Sequence, residues 1–91
     1  MVRRSRLEIY FDVLKVVKNG IVKPTRIMYK TNLSWFSLQK VFDAMIGGGF
    51  IREERLGKAK RYYITDKGSR ALSYYTRSLN ELLPVIQELR T

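Results

Sequence analysis

The sequence predicts a mostly helical α+β fold, a winged helix-turn-helix with a two-stranded wing and a long C-terminal coiled-coil helix. Three observations carry this. Residues 23–49 read as two helices joined by a turn of about three to four residues, the spacing of a helix-turn-helix. Residues 50–65 read as two short strands around Leu56-Gly57-Lys58-Ala59, a hairpin turn. Beyond Asp66, Leu72, Tyr75, Leu79, Leu82, Ile86 and Leu89 are spaced 3, 4, 3, 4 and 3, the a/d repeat of a coiled-coil seam.

The first helix spans Arg6 to Lys18. Ser5 is its N-cap, and Glu8, three residues on, closes a capping box. Leu7, Tyr10 or Phe11, Leu14 and Val17 recur at helical spacing and face the core, with Ile9 and Val13 widening the stripe. Asn19-Gly20 ends the helix, Gly taking the left-handed cap position. The second helix covers Thr25 to Lys30. Pro24 fits only the start of a helix, and Ile27 and Met28 point inward. It runs out at Lys30-Thr31-Asn32, with Leu33 plugging the turn. Ser34 caps a third helix, Trp35 to Ile46. Its core face holds Trp35, Leu38, Val41 or Phe42, and Met45, and its opposite face Phe36, Ser37, Gln39, Lys40 and Asp43. Gly47-Gly48-Gly49 cannot continue a helix. Strands follow at Phe50–Arg55 and Lys60–Thr65, Gly57 supplying the turn's backbone angle.

Thr65 caps the last helix, which runs from Asp66 to about Leu89. Residues 1–65 are therefore expected to form the winged domain and residues 66–91 a dimerisation helix continuous with it. Some 24 residues of helix extend about 36 Å, more apolar stripe than so small a domain can cover. The expected dimer interface is Leu72, Tyr75, Leu79, Leu82, Leu83, Ile86 and Leu89, with Leu72 and Tyr75 folding back on the chain's own core. Pro84 falls at an outward heptad position. It removes one backbone bond, to Asn80, and bends the helix without ending the seam.

Eighteen Lys and Arg against eight Asp and Glu leave a net charge of +10 on 91 residues. That balance points to a polyanion, nucleic acid before an anionic membrane surface. The membrane reading is the weaker, because the amphipathic last helix carries few basic residues on its polar face. Cysteine and histidine are both absent, which excludes disulfides, thiolate catalysis, Cys/His zinc sites and histidine bases. The acids are scattered, adjacent Glu53 and Glu54 point to opposite faces of a strand, and the triple glycine lacks the Lys-Ser/Thr of a phosphate loop. No enzyme activity, cofactor, metal or small-molecule ligand is expected. The N-terminus lacks the apolar stretch of a signal peptide, and no apolar run nears the ~18 residues of a membrane span. A cytoplasmic, nucleoid-associated location is expected.

The residues expected to touch DNA fall in four groups. Ser34, Phe36, Ser37, Gln39 and Lys40 lie near the start of helix three, where recognition helices meet base edges. Gln can pair with adenine, Lys with guanine and Ser with either, while Phe can touch a thymine methyl. The set holds no Arg, the commonest reader of guanine, so strong selectivity is not expected. Arg55, Lys58, Lys60 and Arg61 place charge on the wing for phosphate or the minor groove. Arg26 and Lys30 on helix two are expected at phosphates, as are the free amides at that helix start. Arg3 and Arg4, with Arg6, form a basic arm of the kind that enters a minor groove.

The segment KPTRIMYKTNLSW, followed by a glycine-ended helix, a short hairpin and YYITDKG, resembles the small archaeal DNA-binding winged-helix proteins, the size class of this 10.7 kDa chain. The resemblance covers nearly the whole chain. TRIMYKTNLS is its more specific part, whereas the Tyr-x-Ile-Thr-x-x-Gly ending of the wing is shared by many winged helices. The resemblance implies a homodimer joined by an antiparallel C-terminal coiled coil. Two departures stand out: Trp35-Phe36 replace the usual residues after Asn-Leu-Ser, and Pro84 interrupts the last helix. The expected function is a double-stranded DNA-binding homodimer acting as a transcription regulator. The alternatives are an architectural nucleoid protein of low sequence specificity, or a coiled-coil protein-interaction module whose charge serves only solubility.

Overall fold

The computed structural model describes residues 4–90, apart from the side chains of Ile86, Leu89 and Arg90. The order is α1 (Arg6–Lys18), α2 (Pro24–Thr31), α3 (Trp35–Gly47), β1 (Ile51–Leu56), β2 (Ala59–Ile64) and α4 (Asp66–Arg90). It is a winged helix-turn-helix with a long C-terminal helix. No helix among the described residues is long and apolar enough to cross a membrane.

Local chemistry sets each boundary. At α1 the Ser5 hydroxyl accepts the Glu8 N–H at 3.1 Å and the Glu8 carboxylate accepts the Ser5 N–H at 3.2 Å, a complete capping box. The three helices of the domain end alike. Gly20, Asn32 and Gly49 each take a positive φ, at 91°, 55° and 79°. In each case the residue after that turn returns its N–H to a carbonyl five positions back: Ile21 to Val16, Leu33 to Met28, Phe50 to Met45. These are Schellman closures, which leave few helix-end carbonyls unpaired. The third explains why β1 starts at Ile51 rather than Phe50, since the Phe50 N–H is already committed to α3.

The wing is a two-stranded antiparallel sheet, with Ile51 opposite Ile64 and Leu56 opposite Ala59. Only Gly57 and Lys58 are left to connect the strands, and Gly57 takes φ 64° at the first turn position. The segment after α1 joins the free edge of β2 through one bond, from the Tyr62 N–H to the Val22 carbonyl at 3.0 Å.

The core lies where α1, α2 and α3 meet the base of the wing and the first turns of α4. Val13, Leu14, Val17, Ile27, Leu38, Val41, Phe42, Met45, Ile51, Tyr62 and Leu72 are buried in it. Both Val41 and Phe42 are inside, and Leu33 packs against the cluster from the turn. Phe42 and Tyr62 stack with ring centres 3.8 Å apart, and Phe11 stacks on Tyr75. Two residues expected on core faces are not buried. Leu7 is 57% exposed, because it stands one turn before the stretch of α1 that the core covers. Trp35 is 47% exposed, because the first residue of α3 sits at the rim, beyond the last core contact at Leu38.

Tyr62 donates its hydroxyl to Glu53 at 3.3 Å. Burial, reinforced by the Glu53 carboxylate, pushes its pKa from 10.0 up to about 12. The raised folded value means that this contribution to stability is fully present below pH 10 and is lost as pH rises through 12. Denaturant unfolding at successive alkaline pH values is expected to show the wild type losing more stability than Tyr62→Phe across that window. Parallel losses in both proteins would remove Tyr62 as the cause.

α4 continues without a break through Pro84. Its first half packs on α1 and β2, burying Leu72 and half-burying Tyr75 and Leu79. Past that point Leu82 is 52% exposed, and Leu83 and Val85 are also exposed. The side chains of Ile86 and Leu89, expected in the same seam, lie outside the described residues.

Candidate nucleic-acid interface

α3 is held with one face on the core, so its other face is set by the 3.6-residue period. Phe36 is 70% exposed, and the Lys40 ammonium lies over its ring, 4.6 Å from the centre. Ser34 caps the helix by accepting the Ser37 N–H at 3.1 Å, and the two serine hydroxyls are 2.9 Å apart. Both hydroxyls are therefore engaged with each other. Gln39 and Lys40 are the polar side chains of the five that no such bond occupies.

Two grooves flank this face. One lies between α2, α3 and the wing and is lined by Lys23, Pro24, Thr25, Trp35, Gln39, Lys58, Ala59, Lys60, Arg61 and Tyr62. The other, between α1 and α3, is lined by Arg6, Ile9, Tyr10, Ser37, Lys40 and Val41. The first brings Lys23 and three wing cations to one side of α3, and the second sets Arg6 of α1 beside Lys40 of α3 itself. At the first, the N-terminus of α2 adds free amides, because its N-cap Lys23 makes no side-chain cap bond.

The wing sorts its charges by strand register. Arg52 pairs with Glu54, and the Arg55 Nε lies 3.6 Å from Glu53. Arg55 also stands directly opposite Lys60, a like-charge cross-strand pair that costs stability. Arg61 donates to the Lys60 carbonyl at 2.9 Å. Among the described residues no salt bridge involves Lys58, Lys60 or Arg61, nor Arg26, Lys30 or Lys40. Arg26 and Lys30 are exposed on α2, as is Tyr29 between them at 80%.

Arg4 stands elsewhere than expected. Its guanidinium donates to Asp12 at 2.9 Å and to the Thr31 carbonyl at 2.8 Å, tying the N-terminal segment across α1 to the end of α2. The ion pair with Asp12 leaves both side chains 35% exposed. Arg3 lies outside the described residues. The structure also adds two residues to the surface, and it places Arg6, expected in the basic arm, beside α3. Lys23 and Trp35 line the wing-side groove and Arg6 the opposite one. Lys23 precedes a proline-started helix, where a side chain beside free amides could have been sought. Trp35 was hidden because helical periodicity assigns it to the core face.

This architecture defines a winged helix-turn-helix protein with basic clefts on both sides of its third helix. The chain belongs to a winged helix-turn-helix family whose model matches residues 3–83. An uncharacterized protein of Methanocaldococcus jannaschii, MJ0287, is 33% identical over 84 residues, covering 92% of this chain and 78% of that one. Among solved structures, Sso10a-2, a DNA-binding protein from Sulfolobus solfataricus, superposes with a TM-score of 0.73 at 23% identity, covering 96% of this chain and 94% of that one. The homodimeric winged helix-turn-helix DNA-binding domain of Mb0332 from Mycobacterium bovis, a possible ArsR-family transcriptional regulator, gives 0.72 at 18% identity, covering 82% and 70%. These two likenesses are of fold.

Proposed function

We propose that this protein binds double-stranded DNA, with α3 in the major groove and the wing on the backbone or the adjacent minor groove. The observation that carries the reading is the pair of basic grooves flanking the outward face of α3. Six cations around that face form no salt bridge among the described residues. Sso10a-2 and the Mb0332 domain, which share the fold, are DNA-binding, and that supports the reading. Residues 1–65 form the DNA-binding unit. Residues 66–91 form a dimerisation helix, in which exposed Leu82 follows Leu79 in the seam and exposed Leu83 and Val85 flank it. The function is transcription regulation in the cytoplasm, at the nucleoid, without a cofactor.

A second reading, an architectural protein of low sequence specificity, draws on one further observation. The Ser34 hydroxyl donates to Ser37, which leaves it no proton for a base edge and narrows the readers to Ser37, Gln39, Lys40 and Phe36.

Duplex binding measured across a range of salt tests the proposal. A dimer that neutralises about eight phosphates is expected to give a log–log slope of roughly −7. A slope shallower than about −2 would remove the electrostatic basis of the assignment. Lys58→Ala on the wing is expected to weaken all duplexes evenly. Lys40→Ala is expected to change the order of preference among them if bases are read. Competition against a panel of random and genomic duplexes separates the two readings. Sequence-blind losses in both variants would select the architectural one.

A further inference from the structure

The helix-turn-helix leaves three large aromatic rings in water, those of Tyr29, Trp35 and Phe36. Scattered apolar side chains on a surface are ordinary, but aromatic faces grouped among unpaired cations mark a binding surface. Trp35 differs from the other two in its surroundings. It lines the wing-side groove together with Lys23, the N-cap of α2, and Lys58, Lys60 and Arg61 on the wing. That groove has a volume of about 360 Å³, within the range of clefts that hold small ligands.

A tryptophan ring lining a groove with four cations offers more than phosphate contact requires. In B-form DNA the base faces are stacked on one another, and only base edges and phosphates reach a protein. Cations alone would satisfy the phosphates. The face of a ring in the same cleft gains a stacking partner only from a base that has left its stack. The combination is that of single-strand sites, where a positive groove tracks the backbone and bases stack on aromatic side chains.

We propose that the groove between α2, α3 and the wing binds single-stranded DNA. One unpaired base stacks on Trp35 while Lys23, Lys58 and Lys60 hold the neighbouring phosphates. The inference goes beyond the duplex reading and rests on a separate observation, the tryptophan in the basic groove.

Trp35 is the single tryptophan of the chain, so its emission reports this groove alone. The full-length protein is titrated with oligothymidylate and, separately, with a mixed-sequence duplex, following tryptophan emission and the polarisation of labelled DNA. Oligothymidylate is expected to bind and to quench Trp35. Trp35→Ala is expected to lower single-strand affinity by roughly 10- to 100-fold, the loss of one stacked base, and to affect duplex affinity far less. Trp35→Phe keeps a ring at the position and is expected to retain most single-strand affinity, which guards against a folding defect in the alanine variant. Single-strand binding without quenching, or equal losses for both DNA forms in Trp35→Ala, would overturn the proposal. Duplex binding with no single-strand binding overturns it alone, whereas loss of both in the wild type overturns the duplex reading as well.

Discussion

Replacing Leu79 and Leu82 together by alanine is expected to give a monomer that keeps a folded winged domain and binds duplex DNA far more weakly. The expectation follows from where the apolar stripe of α4 loses its own chain. Leu72 is buried and Tyr75 stacks on Phe11, so the first turns of the helix belong to the domain. Leu82 and Leu83 are exposed, and their burial requires a second copy. Truncating a buried leucine to alanine costs about 2–5 kcal/mol, and a two-fold interface loses each contact twice. Four truncations per dimer therefore cost on the order of 8 kcal/mol or more, which weakens dimerisation by roughly 10⁶-fold. The monomer core barely changes, since neither Leu79 nor Leu82 belongs to the core cluster or packs against it. DNA affinity falls because two tethered domains act on one duplex at high effective concentration, worth roughly 10²- to 10⁴-fold. Sedimentation velocity, far-ultraviolet circular dichroism and DNA polarisation measure the three quantities. A wild type that sediments as a monomer at micromolar concentration, or a double variant that remains dimeric, would sink the coiled-coil proposal.

Element boundaries were legible in the sequence wherever a local hydrogen-bonding signal set them. Ser5 with Glu8, Pro24, Ser34 and Thr65 begin helices for reasons confined to a few residues. Gly20, Asn32 and Gly49 end helices for reasons equally local. The strand ends shifted by one residue because they depend on partners farther off. Phe50 gives its N–H to Met45, and Leu56 finds Ala59 across a two-residue turn. Burial was harder to read. The periodicity of α1 and α3 places Leu7 and Trp35 on core faces, but whether those positions are covered depends on how far neighbouring elements extend.

The candidate site divides the same way. The outward face of α3 follows from its period. The grooves do not, because each is closed by an element distant in sequence: the wing on one side, α1 on the other. Arg4 shows the limit from the opposite direction. Its carbonyl partner, Thr31, is 27 residues away, and nothing in the run of basic residues around it announces that bond.

Gly68→Ala tests the point where the fold is tightest, and there the expected sign opposes the intrinsic preference of the helix. Gly68 lies in the first turn of α4, where alanine would ordinarily gain up to about 1 kcal/mol over glycine. A Cβ at this position, however, would stand 2.1 Å from the carbonyl oxygen of Phe50 and 2.9 Å from Cγ1 of Ile64. The carbonyl cannot simply retreat, because it accepts the Thr65 N–H at 3.1 Å. Thr65 in turn caps α4 through the Gly68 N–H at 3.0 Å and donates its hydroxyl to the Gly49 carbonyl at 2.6 Å. Moving α4 outward would strain this junction and draw Leu72 from the core. A cost of about 3 kcal/mol is expected, which lowers Tm by roughly 12–20 °C in a chain of this size. Gly47 provides the comparison. It is also helical, a methyl group added there would meet no atom within 4 Å, and it needs no positive φ. Gly47→Ala is therefore expected to leave stability unchanged or slightly raised. Thermal and urea unfolding of the two variants separate crowding at one glycine from helix propensity at the other. Equal behaviour of the pair would show that α4 does not cross the start of the wing this closely.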